Sequence, residues 1–279
     1  MSVTAKDIAI LDLDHPGAKD PVYRKRRNYI AEAAKYHREN GGIPVIEYSD
    51  QEHEVWRIVN SKLSVLHEKH ASQVYLDSKD TLKIPTDHIP QLRDLSDRLD
   101  TYHRFRLEAI EGLVDSRSFM GKLAQRVMWC TQYIRHASKP EYTPEPDIVH
   151  EVVGHVPTFV DRDFVELSEM IGRAALLVND DHLAEVERVY WYTIEFGLIE
   201  ERGGVKAYGA GLLSSFGELA AAFSGNVPWK PFVLEDVLQT PYDYSHMQPH
   251  FFVVPSFAFL REEMERLFRS YESSVSIFR

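Results

Sequence analysis

The residues best suited to chemistry are His150 and His155, in the run His150-Glu151-Val152-Val153-Gly154-His155. Two neutral imidazoles close in sequence are good ligands for first-row divalent metals. A zinc-protease helix would set its histidines four apart on one face. Here they are five apart, an offset of about 140° on a regular helix, so the rings diverge unless the backbone relaxes. Gly154 and Pro157 mark a helix end where such relaxation is expected. The plainer alternative is two unrelated histidines, one exposed and one capping. A third ligand would have to come from elsewhere, and Tyr190-Trp191-Tyr192-Thr193-Ile194-Glu195-Phe196 offers Glu195 in a strongly aromatic helix. A carboxylate among aromatic rings is costly unless it is paired or binds a metal. Two histidines and one carboxylate form the facial set of non-haem iron(II) oxygenases, with other coordination positions left open. The competing reading puts Glu195 at a helix end facing solvent, and spacing does not choose between the two.

Three other functions compete. A zinc hydrolase would use Glu151 as general base, which the five-residue spacing disfavours. Gly209-Ala210-Gly211-Leu212-Leu213-Ser214 follows a possible strand and opens a helix, as a dinucleotide-binding turn would. Ser214 replaces the third glycine, however, and no surrounding strand–helix–strand unit is evident. Small residues for close packing explain this run as well. A non-enzymatic binding protein would have no reason to assemble two histidines, a carboxylate and an aromatic pocket.

These groups must be positioned by a chain whose periodicity is mostly helical. Asp20-Pro21 starts a helix that runs to about Asn40 and stops at Gly41-Gly42. Ile43 to Tyr48 reads as a short extended segment. Val55 to Ala71 reads as an amphipathic helix with Val55, Ile58, Val59, Leu63 and Leu66 on one side. Gln91 to Ile110 is expected to hold one or two helices, and Arg117 to Arg135 another. Pro144 and Pro146, beside Glu145 and Asp147, suit the first turn of the helix that carries His150 and His155, which should end near Pro157. Asp163 to Leu177 and Leu183 to about Ile199 are read as helices. Gly203-Gly204 makes a turn, and Val205 to Tyr208 returns as a strand. Ala210 to Phe223 reads as a closely packed helix and Phe251 to Val254 as a strand. Ser256 caps a last helix with Phe257, Leu260, Met264, Leu267 and Phe268 facing inward. Without repeated strand–helix alternation, the fold class is mainly α, one domain over 1–279 with a few short strands; about 1–15 is expected to be a disordered tail.

The chain has 279 residues, 44% hydrophobic and 27% charged, with a formal net charge of −11. An acidic surface argues against nucleic acid or anionic membrane as partner. The one basic cluster, Arg24-Lys25-Arg26-Arg27, reads as a solvated helix face. A single cysteine, Cys130, allows neither an intrachain disulfide nor a cysteine metal site, which fits a reducing compartment. No signal peptide or membrane-length apolar run is visible, so a cytoplasmic protein is expected.

Several longer blocks add to this: Asp14-His15-Pro16-Gly17, Asp20-Pro21-Val22-Tyr23, Cys130 to His136, Tyr142 to Asp147, His150 to Pro157, Tyr190 to Leu198 and Lys206 to Leu219. In these blocks, and over nearly the whole chain, the sequence resembles the catalytic domain of the pterin-dependent aromatic amino acid hydroxylases, which act on phenylalanine, tyrosine or tryptophan. The resemblance implies that His150, His155 and Glu195 bind Fe(2+), that a tetrahydropterin supplies two electrons, and that O2 is the co-substrate. It implies that Phe119 stacks on the pterin, with Val114, Ser116, Met120, Glu151 and Tyr190 around it. It implies that Arg135 grips the amino acid carboxylate, with Thr143 and Ser214 as polar helpers and Pro146, Trp191 and Phe196 around the ring. Ser214 and Glu218 are expected to support the metal-binding histidines.

Trp191 matches the phenylalanine and tyrosine enzymes, the tryptophan enzymes having Phe there, and Tyr244 falls in the loop where tyrosine hydroxylases carry an aspartate. Phenylalanine is the expected substrate and tyrosine the product. Met128-Trp129 departs from the Phe followed by His or Gln of the animal enzymes. A flexible Met there would tilt the substrate ring, so attack at the meta carbon, giving meta-tyrosine, is the alternative outcome. Neither the family's N-terminal regulatory domain nor its C-terminal tetramerisation helix is recognisable, so a monomer binding only small molecules is expected.

Overall fold

The computed structural model describes residues 11, 15–141, 143, 145–244 and 246–277, with side chains to residue 272. Tyr142 and Pro144 of one block quoted above lie outside the described residues, as does most of the expected N-terminal tail. His15 is described: it is buried and stacked on Tyr23.

Helix α1 (Pro21–Asn40) begins where Asp20 accepts the Val22 and Tyr23 backbone N–H groups and ends at Gly41, whose φ of 90° no other residue adopts easily. Its basic cluster is only partly a solvated face. Arg24 and Lys25 are exposed, but Arg27 is buried, paired with Glu145 at 2.6 Å, with its guanidinium 3.6 Å from the centre of the Tyr133 ring. Residues 43–48 belong to no helix or strand among the described residues. Helix α2 (Asp50–His70) starts earlier than its apolar stripe, because Ser49 and Glu52 form a reciprocal cap. Val55, Trp56, Val59 and Leu63 are buried, whereas Ile58 faces outward. Helix α3 (Gln73–Leu82), capped by Ser72, was not legible as apolar periodicity.

Two expected helices turn into strands. Within 91–110 only α4 (Leu92–Asp100) is helical; His103 and Arg104 then take positive φ and turn the chain into β1 (Arg106–Ala109). Within 117–135 the helix is α5 (Ser116–Leu123). Arg126 breaks it with φ 57°, and Val127–Cys130 form β2, parallel to β1. Three of the four β2 side chains are buried on one side or the other of this two-stranded ribbon, and the ladder bonds of β1 outweigh helical propensity.

The segment His150–His155 is a π-helical turn, followed by a 3₁₀ stretch (Val156–Val160), α6 (Arg162–Leu177) and α7 (Asp180–Tyr190). The helix expected to reach Ile199 instead widens into a second π-turn (Trp191–Glu195) and gives way to β3 (Leu198–Glu201). Gly203 and Gly204, both at positive φ, make the hairpin to β4 (Gly204–Ala207). The expected helix 210–223 is split by Ser214-Ser215 into α8 (Ala210–Leu213) and α9 (Phe216–Ala222), the latter capped by Ser215. Then come β5 (Trp229–Pro231), α10 (Leu234–Gln239), β6 (Phe251–Val254) and α11 (Phe257–Ile277). The larger sheet runs β4-β3-β6-β5, parallel except for the β3–β4 hairpin. Ser256 caps α11 as expected, with Leu260, Met264 and Leu267 buried and Phe257 and Phe268 half-buried. The mainly α fold class stands. Among the described residues no helix is long and apolar enough to cross a membrane.

One core cluster runs from Ala34 through Ile148, Val149, Val152, Val153 and Val156 to Tyr271, so the first π-turn is anchored at the centre of the molecule. Helix α5, which carries Phe119 and Met120, lies against α6 at Gly172. A Cβ added there would stand 2.3 Å from the Ala124 nitrogen and 2.5 Å from the Met120 oxygen, so α5 would have to move. Gly172→Ala should therefore lower unfolding free energy by about 1–3 kcal/mol in urea denaturation; an unchanged midpoint would show that α5 is not held this closely.

Candidate metal centre

The five-residue spacing is resolved by the backbone itself. In the first π-turn the N–H of Val156 bonds to the carbonyl of Glu151, five residues back, so the turn is wider than α-helical. Residues five apart then share a face, and the Nε2 atoms of His150 and His155 come to 3.1 Å. The second π-turn does the same for the third residue: Phe196 N–H bonds to Trp191 O at 2.9 Å, and Glu195 points back at the histidines. Its carboxylate lies 3.0 Å from His155 Nε2 and 3.5 Å from His150 Nε2, and one ligand atom from each of the three lies within 4.8 Å of the others. Gly154 does not loosen the helix end. It seats the π-turn on α8, where a Cβ would meet the Ala210 oxygen at 2.7 Å. Gly209 likewise lets the chain pass the Glu195 oxygen, where a Cβ would lie at 2.4 Å, so the Gly209-Ala210-Gly211 run serves packing and not a dinucleotide.

The three groups are oriented from behind. His150 Nδ1 is 3.1 Å from Ser214 Oγ, which leaves Nε2 to face its partners. Tyr190 Oη donates to Glu195 Oε1 at 2.9 Å. Burial opposes charge on Glu195, but His155 and His150 outweigh it and hold the carboxyl well below its usual range. Burial lowers His155, whereas on His150 the acids around it, Glu195 first, outweigh burial and raise it. Two imidazoles and a carboxylate converging with their lone pairs inward fit a first-row divalent cation.

Two cavities meet here. The first, about 230 Å³, reaches all three of these residues and is lined by Val114, Ser116, Phe119, Met120, Glu151 and Tyr190, the whole set expected around a pterin. Phe119 meets Tyr190 edge-on at 5.9 Å, which leaves an apolar slot suited to a flat heterocycle. Glu151 faces this cavity and accepts bonds from the N–H and hydroxyl of Thr131; burial pushes its carboxyl up to about 7. The second cavity, about 390 Å³, reaches His150 and Glu195 and is lined by Arg135, Thr143, Pro146, Trp191, Phe196 and Ser214, the set expected around the amino acid. Arg135 is buried, with Nε and Nη2 bonded to Asp147 at 2.9 and 2.8 Å, while Nη1 has only a 3.3 Å contact to Pro140 O. The same Asp147 accepts the His150 backbone N–H at 3.1 Å. Trp191 stacks on Tyr242 at 4.5 Å, leans on Phe196 at 4.7 Å and donates its indole N–H to Gln248.

Glu218 also lines the second cavity, and its partner is the Gln248 backbone N–H at 2.7 Å, so it steadies the loop that holds Trp191. Of the departing pair, Met128 is turned into the core, and Trp129 lines the first cavity, its indole N–H donating to Glu108 beside Lys122. Tyr242, Gln248 and Glu187 escaped the sequence reading. Glu187 had a signal, since it precedes Tyr190 by three and Trp191 by four on one helix face.

Burial pushes the Glu218 carboxyl up to about 7 from 4.5. A raised carboxyl binds its proton more tightly folded than unfolded, so its stabilising effect is full below pH 4.5 and is lost as pH rises through about 7. Glu218→Gln should remove that loss, making the variant more stable than the parent by about 1–3 kcal/mol at pH 8 and near equal at pH 5 in thermal or urea melts. Parallel pH profiles would refute it.

The family model for biopterin-dependent aromatic amino acid hydroxylases matches residues 2–277. The chain is 45% identical over 260 residues to rat phenylalanine-4-hydroxylase, covering 92% of this chain and 57% of that protein. It is 42% identical over 269 residues to bovine tyrosine 3-monooxygenase, covering 95% and 54%. The chain thus spans little more than half the length of these curated relatives. Phenylalanine hydroxylase from Chromobacterium violaceum, solved with bound oxidised Fe(III), superposes with a TM-score of 0.78 at 26% identity, over 87% of this chain and 92% of that one. With the matched family model and the metal-binding geometry in agreement, the chain belongs to the biopterin-dependent aromatic amino acid hydroxylases.

Proposed function

We propose that this protein is an iron(II)- and tetrahydropterin-dependent monooxygenase that hydroxylates the ring of L-phenylalanine to give tyrosine. The observation that carries the proposal is the convergence of His150, His155 and Glu195 where two cavities meet, one slot-like and acidic, the other backed by an arginine. In this reading His150, His155 and Glu195 hold the metal, which with the pterin supplies the reducing electrons and the place where dioxygen is activated. Phe119 offers the stacking face for the pterin. Arg135, with Nη1 free of strong bonds and its fork braced by Asp147, takes the substrate carboxylate. Thr143 and Ser214 stand beside it.

Trp191, clamped by Tyr242, Phe196 and Gln248, gives a bulky fixed wall that favours a single benzene ring over an indole. The aromatic residues around both cavities keep water from the reacting groups. A monomeric, cytoplasmic protein acting as one catalytic domain agrees with the acidic composition, the buried lone cysteine and the shared core. Hydroxylation at the meta carbon is the second reading; Met128 is turned into the core and lines neither cavity, so the residue of that pair that bears on it is Trp129, whose indole lines the first cavity.

Incubation with iron(II), a tetrahydropterin and each aromatic amino acid should give para-tyrosine from phenylalanine as the main product; meta-tyrosine would shift the proposal to the second reading, and no product from any of them would end it. Glu195→Ala should lower turnover by more than about a hundredfold, since loss of a group that merely supports a ligand already costs up to that much, while circular dichroism stays native. Normal turnover of that variant with iron supplied would refute the ligand assignment.

A further inference from the structure

Two buried side chains that line neither cavity reach the backbone of the metal centre from behind. His67, in the last turn of α2, and Tyr75, in the first turn of α3, meet edge to face with ring centres 5.1 Å apart. The Tyr75 hydroxyl donates to Val153 O at 2.7 Å, inside the first π-turn and two residues before His155. The amide four residues after Val153, the ordinary helical donor, belongs to Pro157, which has no N–H. His67 Nε2 lies 2.7 Å from Leu213 O, the last carbonyl of α8. Helix-end carbonyls lack a partner inside the helix, and a buried one left unpaired is costly. The next residue is Ser214, whose Oγ holds His150 Nδ1. One contact therefore stands behind each histidine ligand.

The direction of the His67 bond is fixed from its other side. Nδ1 is 3.1 Å from the Lys79 ammonium, which only donates, so the imidazole proton sits on Nε2 and points at the carbonyl. Burial, and then the charge of Lys79, pushes this imidazole down to about 3, so it is neutral at neutral pH. The pair is itself anchored: between the two helices, the Ser72 N–H donates to Ala207 O at 2.8 Å, at the end of β4. We infer that His67 and Tyr75 are positioning residues for the metal centre: they fix the two backbone segments that aim His150 and His155, and so set how tightly the site holds its ion without touching it. The inference rests on the metal-binding reading of His150, His155 and Glu195 and adds residues outside the ligand set.

The test is equilibrium binding of cobalt(II) to the full chain, followed by its visible ligand-field absorption, which reports affinity and geometry at the ion without turnover. Loss of a group that bonds directly to a ligand costs ten- to a hundredfold in metal affinity as a rule. Acting one step further out, Tyr75→Phe and His67→Phe should each weaken cobalt(II) about fivefold and shift its absorption bands. Tyr75→Phe removes one oxygen and keeps the ring, so its fold should hold. His67→Gln, whose amide can still donate to Leu213 O, should recover most of the His67→Phe loss. Leu260→Ala, a cavity in α11 remote from both pockets, is the control: it should lower the melting temperature at least as much and leave cobalt(II) affinity within about twofold. If Tyr75→Phe or His67→Phe binds as the parent does, if His67→Gln does no better than His67→Phe, or if affinity merely follows melting temperature in all variants, the inference is overturned and the ligand assignment stands. If the parent binds no cobalt(II), or Glu195→Ala binds it as tightly as the parent, the metal-binding reading fails and this inference with it.

Discussion

The whole site depends on two backbone hydrogen bonds that reach five residues back instead of four. An α-helix would turn His150 and His155 apart and carry Glu195 past them. One widened turn on each side cancels both errors. Such turns are rare because they pack the backbone less well, so each must be held by what surrounds it. The first is held by the fully buried valines 152, 153 and 156 beneath it and by Gly154 pressed onto Ala210. The second is held by Thr193, whose hydroxyl donates to Val189 O at 2.6 Å, and by the passage of Gly209 across the Glu195 carbonyl.

Asp147 joins the two cavities through the protein. It is fully buried, and although burial opposes its charge, Arg135 and the backbone donors keep its carboxyl below the usual value. One oxygen takes Nη2 of Arg135 and the first N–H of the π-turn; the other takes Nε and the backbone N–H of Arg135. The buried arginine of the second cavity and the start of the histidine turn are therefore braced by a single carboxylate. Buried and doubly committed, such a pair contributes geometry more than net stability.

Much of this could be read from residue order, and the gaps have physical causes. Capped ends, such as Asp20-Pro21, Gly41-Gly42 and Ser256, were readable because the chemistry is local. The π-turns were not, since pattern reading assumes 3.6 residues per turn; the odd histidine spacing was the visible trace, and its cause was misplaced onto Gly154. Val127 to Cys130 looked helical because its neighbours are, and only the partner strand 106–109, distant in sequence, decides otherwise. Arg27 looked solvated because its partners, Glu145 and Tyr133, lie more than a hundred residues away. For the site, the resemblance to the hydroxylase family named many of the residues that line both cavities, while Tyr242 and Gln248 became visible only through proximity.

The glycines around the centre bear on how such a protein can diversify. Gly154, Gly209 and Gly211 each stand where a single added carbon would collide with the Ala210 oxygen, the Glu195 oxygen or the Phe196 ring. The scaffold under the ligands thus has no slack for drift by small backbone adjustments. A changed side chain is accommodated more readily on the outer wall, as at the exposed Tyr244, than in this floor.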